Sequence, residues 1–185
     1  LQSAMEEVVF DFIESKLEEE GCSRLAVAGG LFANVSLNGR LSQLDLEEFV
    51  IFPAMTDQGL CAGAAFVTSG LDHPNAVPSM YLGSRISREG PDPAQVASMI
   101  ASGAFVGVAR GAMEFGPRAL GHRSILFDPR RPELADKLQG MLKRSPFMPF
   151  APMINAKRWH EAFRVSRRGL ERPSREMTIA LPTQK

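Results

Sequence analysis

The sequence predicts an α/β fold, and three observations carry that expectation. Twice in the first 70 residues a short apolar strand runs into a Gly- or Pro-marked turn and then a helix. The second half adds a further helix, strand and loop series. Hydrophobic residues make up 44% of 185 positions, enough to bury a core and to exclude wholesale disorder.

The elements follow in order. Residues 3–20 carry Val8, Val9, Phe12, Ile13 and Leu17 at helical spacing, with Ser3 and Glu6 placed as a capping box and Gly21 as the stop. Arg24 to Ala28 is a short apolar strand ending in Gly29-Gly30, and a helix is expected from Leu31 to Asn38 with Gly39 after it. A second strand runs Phe49 to Phe52 and stops at Pro53. Gly59 to Ser69 is rich in Gly and Ala, which predicts a buried helix packed closely. Residues 70–93 hold Gly70, Asp72, Pro74, Asn75, Pro78, Gly83, Gly90, Pro91 and Pro93 with little periodicity, so the chain divides there. Asp92 as cap and Pro93 as first residue open a helix to Ser102, followed by a strand from Phe105 to Ala109. After a loop rich in Gly and Arg come a strand Ser124 to Phe127, a helix from Pro132 to Lys143, and a strand around Phe150 to Ile154. A helix Lys157 to Phe163 and a strand Met177 to Leu181 close the chain.

Composition excludes several classes. Cys22 and Cys61 stand far apart with no CxxC, which removes a disulfide scaffold and a cysteine zinc site. No apolar stretch reaches the ~20 residues of a membrane span, and the glutamate-rich N-terminus is no signal peptide, so a cytoplasmic protein is expected. The net charge of zero is a cancellation. Residues 1–57 hold 3 Lys and Arg against 11 Asp and Glu, and the remainder holds 18 against 10. Arginine dominates that basic excess. Its planar fork suits phosphate and carboxylate, which directs the search for an anionic ligand to the second half.

Three stretches carry chemistry-bearing residues. Gly29-Gly30-Leu-Phe-Ala-Asn34 lies between strand and helix, where glycines admit a ligand to the backbone; a plain connecting turn reads the same way. Asp57 sits at a strand end before a helix, suited to a cation or a ribose, or to capping its own helix. The run from Arg110 to Arg130 places Arg110, Glu114, Gly116, Arg118, His122 and Arg123 on one loop, with Lys143 and Arg144 farther on. Arginine is rarely buried without a partner, so this cluster predicts either a clamp for several anionic oxygens or a salt-bridge network around Glu114. His73, His122 and His160 show no metal-pair spacing.

Taken together, GGLFAN (29–34), PAMTDQGLCAGAA (53–65), MEFGPRALGHRSILFDPR (113–130) and PFAP (149–152) resemble, in order, the motifs of the O-carbamoyltransferases. That family includes nodulation protein U and the enzymes that carbamoylate cephalosporin and aminoglycoside antibiotics. The resemblance implies the C-terminal part of an actin-like (ASKHA) domain over residues 1–70, a linker over 71–93, and the N-terminal part of a YrdC-like domain over 94–185. It implies an ATP-dependent reaction in which carbamoyl phosphate and ATP give carbamoyl-adenylate, whose carbamoyl group passes to a substrate hydroxyl near a bound iron(II). Carried over, Gly29, Gly30 and Asn34 hold the adenylate and Asp57 is a metal ligand. Arg118, Arg123 and Lys143 act on carbamoyl phosphate and ATP, with Arg110, Glu114, Gly116 and Arg144 around the phosphates. Two cations of the family's motifs are absent, since Ala112 and Met148 stand where relatives carry Arg.

The same resemblance makes the chain a fragment whose remaining ligands lie elsewhere in its own polypeptide, inactive in isolation and unable to retain iron. Two other readings stay open. Lys157, Arg158, Arg164, Arg167, Arg168, Arg172 and Arg175, interleaved with Trp159 and Phe163, fit a basic nucleotide- or RNA-binding module. An interaction fragment that dimerises or docks onto the rest of its protein is the other.

Overall fold

The structure, a computed structural model, describes residues 1–70, 79–87, 90–145, 147–165 and 169–184. His73, Pro146, Arg167 and Arg168 lie outside the described residues. In chain order the elements are α1 (Gln2–Glu20), β1 (Arg24–Val27), a 3₁₀ turn (Gly30–Ala33), α2 (Val35–Leu41), β2 (Glu48–Ile51) and α3 (Gln58–Thr68). There follow β3 (Arg85–Ile86), α4 (Pro93–Ala101), β4 (Val106–Ala109), β5 (Gly111–Ala112), β6 (Arg123–Leu126), α5 (Pro132–Met141), α6 (Trp159–Ala162) and α7 (Glu171–Arg175). Helices mixed with small sheets bear out the α/β class. Among the described residues, no helix is long and apolar enough to cross a membrane.

Two compact units make up the chain, and neither is continuous in sequence. The first comprises Leu1–Met80, Phe115–Arg118 and Ala156–Lys185. The second comprises Tyr81–Glu114 and Ala119–Asn155. These packing units run across the linear division expected at residues 71–93.

In the first unit β1 and β2 pair in parallel, Leu25 opposite Phe49 and Val27 opposite Ile51, and the 3₁₀ turn with α2 forms the connection. A parallel pair requires such a crossover. Ile13, Val27, Leu37, Leu41, Phe49 and Ile51 form the core, and Leu170 and Ile179 from the far end of the chain complete it. The tail is sewn in by polar bonds too: the Ala180 N–H donates to the Val35 carbonyl at 2.9 Å, and Asn38 Nδ2 donates to the Thr178 carbonyl at 2.7 Å. Thr178 and Ile179 are therefore buried, but they form no strand, so the expected ladder over Met177–Leu181 is replaced by bonds to α2.

Several local expectations are corrected by tertiary packing. α1 starts a residue early with Leu1 as N-cap and no side-chain cap bond, which puts Ser3 inside the first turn. Gly21 does end it in the left-handed region at φ 58°. The helix expected over Leu31–Asn38 breaks at Asn34, whose Oδ1 accepts from Ser36 N and Leu37 N at 3.2 Å and so caps α2. Gly39 lies inside α2 instead of ending it. α3 is present, yet none of its residues is buried. Its close approach is confined to its start, where a Cβ on Gly59 would stand 2.2 Å from the Ala54 carbonyl oxygen and 3.0 Å from Phe52 Cε1. Gly59→Ala is therefore expected to destabilise the fold by about 1–3 kcal/mol; an unchanged urea midpoint sinks that expectation.

In the second unit β4 and β6 pair antiparallel from Val106–Leu126 to Ala109–Arg123, and the two-residue strands β3 and β5 form a separate antiparallel pair. Asp92 caps α4 as expected, its Oδ1 accepting from Ala94 N at 3.1 Å. Phe150–Ile154 forms no strand; Phe150 instead stacks edge-on against Phe127, centroids 5.3 Å apart, with the Arg144 guanidinium 4.8 Å from its ring centroid. α5 ends at Met141, and Lys143 follows in the left-handed region at φ 50°. The helix expected over Lys157–Phe163 shortens to α6, and α7 forms in a stretch with no expected helix.

Candidate functional site

The loop between β4 and β6 is built by the hairpin itself. Ala109 pairs with Arg123, the first residue of β6, so the chain leaves the sheet after Ala109, re-enters it at Arg123, and the intervening residues must fold back on themselves. Glu114 organises that return. Its Oε1 accepts from the backbone N–H of Leu120 at 2.8 Å, His122 at 2.7 Å and Arg123 at 3.1 Å. The remaining amide of the run, Gly121 N, donates to Ser124 Oγ at 3.0 Å. Burial pushes the Glu114 carboxyl up, but the amides of His122, Leu120 and Arg123 outweigh that and hold it below the ordinary glutamate value.

Arg123 is gripped by carbonyls. Its Nη1 donates to Arg110 O at 2.8 Å and His122 O at 2.9 Å, and its Nη2 to Ser84 O at 3.3 Å. Arg110 Nε donates to Gly121 O at 3.2 Å. Beside them the His122 ring lies 4.1 Å from the Tyr81 ring, its Nδ1 is 2.7 Å from Ala112 O, and Tyr81 donates its hydroxyl to Leu120 O at 3.0 Å. A carbonyl only accepts, so Nδ1 of His122 carries the proton.

A salt-bridge network around Glu114 is thus not what forms. Among the described residues, Arg110, Arg118, Arg123, Lys143 and Arg144 make no ion pair with a carboxylate. The difference matters electrically. A guanidinium held by carbonyl dipoles keeps its full charge, whereas one paired with a carboxylate is cancelled. Arg130 illustrates the second case. It forks onto Asp128 at 2.7–3.1 Å, and this bond, with the backbone N–H of Arg130, lowers the Asp128 carboxyl to about 2. A depressed carboxylate stabilises the fold above its unfolded value of about 3.9 and loses that contribution as pH falls through about 2. Asp128→Asn is accordingly expected to narrow the stability difference between pH 5 and pH 2 in urea titrations; an unaltered difference would discount the pair.

In the first unit the expected nucleotide loop is open. Gly29 stands at φ 105°, its N–H donates to Met55 O at 2.9 Å, and a Cβ on Gly29 or Gly30 would meet nothing within 4 Å. The segment Phe115–Arg118 belongs to this unit. Gly116, at φ 103°, lies where a Cβ would stand 3.4 Å from Ala54 Cα, and Arg118 Nη2 donates to Ala33 O at 2.9 Å, one residue before Asn34. Arg118 and the GGLFAN motif, 85 residues apart, are thus brought together. The sequence grouped Arg118 with Arg123 because they are five positions apart; the chain places them in different units.

Asp57 is exposed and makes no cap bond, so capping does not account for it. It is nevertheless a lone donor. Among the described residues no three His, Cys, Asp or Glu side chains group as metal ligands. An iron(II) site needs more ligands than one carboxylate, so these residues alone do not fit the ion and no step is assigned to it.

The basic-module reading loses two of its charges to pairing: Arg158 forks onto Glu161 at 2.7–3.0 Å, and Arg172 Nε donates to Glu176 at 3.0 Å. Asn38, fully buried and bonded across the first unit, was missed as a key residue; its signal is a polar side chain on the apolar face of α2.

Comparison with known proteins agrees with the motifs. Residues 1–66 match the family model described as carbamoyltransferase N-terminus, and residues 97–185 match carbamoyltransferase C-terminus. An uncharacterized protein of Methanocaldococcus jannaschii is 36% identical over 182 residues, covering 83% of this chain and 30% of that protein. Nodulation protein NolO of Bradyrhizobium diazoefficiens is 35% identical over 177 residues, 82% of this chain and 32% of its own length. Nodulation protein U of Rhizobium tropici is 32% identical over 146 residues, 72% of this chain and 25% of its length. The chain thus spans about a third or less of the curated relatives it matches. With both family models matched in order and the four motifs between Gly29 and Pro152 in place, the chain belongs to the carbamoyltransferase family.

Proposed function

We propose that this chain serves an ATP-dependent O-carbamoyl transfer. Carbamoyl phosphate, ATP and water give carbamoyl-adenylate, pyrophosphate and phosphate; the carbamoyl group then passes from the adenylate to a hydroxyl of a small-molecule acceptor, releasing AMP. One observation supports this most directly. Arg110 and Arg123 are held by carbonyls and, among the described residues, pair with no carboxylate, which leaves their charge for an anionic ligand.

The physical need is clear. Both substrates are polyanions, and a carbamate oxygen reaches the α-phosphorus only when their repulsion is offset. Arg123 and Arg110 supply fixed positive charge without reorganising, and Lys143, exposed after α5, adds a mobile one. Gly29, Gly30 and Asn34 would receive the adenylate at the open loop of the first unit, with Arg118 bracing that loop through Ala33 O. In this reading residues 1–70 derive from an actin-like domain and 94–185 from a YrdC-like one, the protein is cytoplasmic, and the rest of its polypeptide completes both sites.

The test is pyrophosphate release by the whole natural protein, with ATP and carbamoyl phosphate added singly and together. Release that requires both supports the reading. Release with ATP alone, or salt-sensitive RNA binding indifferent to both compounds, overturns it.

A further inference from the structure

We infer that Glu114 is the positioning residue of the anion-binding loop, acting through Arg123 and Arg110 and touching no substrate itself. The inference rests on the carbamoyl-transfer reading and deepens it by assigning a role within the same loop.

One carboxylate oxygen binds three of the four amides between Leu120 and Arg123, and Ser124 Oγ holds the fourth. The run therefore has no unbonded backbone donor, and two side chains, Glu114 and Ser124, accept all four of its amides. The conformation of the run places the His122 carbonyl, and with Arg110 O and Ser84 O it forms the cage of Arg123. It also places the Gly121 carbonyl that orients Arg110. Gly121 stands at φ 92° and Gly111 at φ 52°, conformations that side chains rarely adopt, so the loop needs outside bonds to hold its shape. A Cβ on Gly111 would stand 2.8 Å from the His122 ring, which shows how tightly the return is drawn.

The negative charge has a second consequence. An internal carboxylate occupies the amide cluster that a substrate phosphate would otherwise enter, so the anion is left to the guanidinium groups. Glutamine keeps the accepting Oε1 and therefore preserves the strap; alanine removes it.

The experiment compares Glu114→Ala and Glu114→Gln in the whole protein, reading kcat and KM for carbamoyl phosphate, with urea midpoints in parallel. Positioning predicts that Glu114→Ala raises KM by about tenfold or more while Glu114→Gln stays within about threefold of wild type. If glutamine is as damaging as alanine, the charge itself meets the substrate and the inference falls. If alanine leaves KM unchanged, whatever its effect on the midpoint, the strap is only structural and the inference falls equally. Should the wild type show no carbamoyl-phosphate dependence, the functional reading fails separately. The strap is then judged by calorimetry of inorganic pyrophosphate: binding weakened by alanine and retained by glutamine upholds it, and equal binding by all three proteins overturns it.

Discussion

Arg123→Ala is expected to lower carbamoyl-phosphate-dependent pyrophosphate release about 100-fold. A charge-assisted bond contributes ~1.5–3 kcal/mol, and ~2.7 kcal/mol of lost transition-state stabilisation is a factor of about 100. The variant also abandons the carbonyls of Arg110, His122 and Ser84, which lose their common donor. Arg123→Lys is expected to restore little. An ammonium carries the charge but lacks the planar fork that reaches three carbonyls and leaves further N–H groups over. Steady-state assays with both substrates varied decide the matter, and a fall of less than about threefold for the alanine variant would remove Arg123 from the site.

A large effect on stability is expected at Asn38. Its Nδ2 donates to Phe32 O and to Thr178 O, both at 2.7 Å, from a side chain with no exposed surface. Between two carbonyls only the amide nitrogen fits, so the orientation is determined. Asn38→Leu fills the volume but strands the buried Thr178 acceptor and the part-buried Phe32 one; leucine also removes the buried Asn38 Oδ1, which has no partner among the described residues, so the expected net loss is about 1–3 kcal/mol. That is a sizeable share of the roughly 5–15 kcal/mol typical of a folded domain. Urea titration of the variant is the measurement, and a loss below about 1 kcal/mol would show that Asn38 does not hold the chain end.

Asn38→Asp sharpens the prediction through its pH dependence. A carboxyl buried against carbonyl oxygens is neutral by preference, so its folded pKa rises above the unfolded value of about 3.9. The variant is then closest to wild type below about pH 4 and loses stability as pH rises through the raised folded value. A stability difference from wild type that does not vary between pH 4 and pH 7 would contradict the burial.

How much of this could be read beforehand depends on the distance over which each signal acts. Gly21 ends α1, Asp92 caps α4, and the strands near Arg24, Phe49, Val106 and Ser124 appear within a residue or two of expectation. Those signals act over four residues or fewer. Asn34, expected at a nucleotide, caps α2 in the structure, because a short polar side chain at a strand-to-helix turn accepts from the first amides of the helix whether or not a ligand binds there. Strand pairings of two residues, such as Arg85–Ile86 with Gly111–Ala112, leave no periodicity to detect.

The sequence alone determined the α/β class, the ends marked by Gly21 and Asp92, the arginine-rich loop and, through four ordered motifs, membership of the carbamoyltransferase family. Only the tertiary structure decided that Leu170 and Ile179 complete the first core, that Arg118 joins Ala33, and that Glu114 binds amides instead of arginines. The physical reason is range. Caps and turns are chosen by neighbours along the chain, whereas a bond such as Asn38 to Thr178, 140 residues away, exists only once packing has met the entropy of closing that loop.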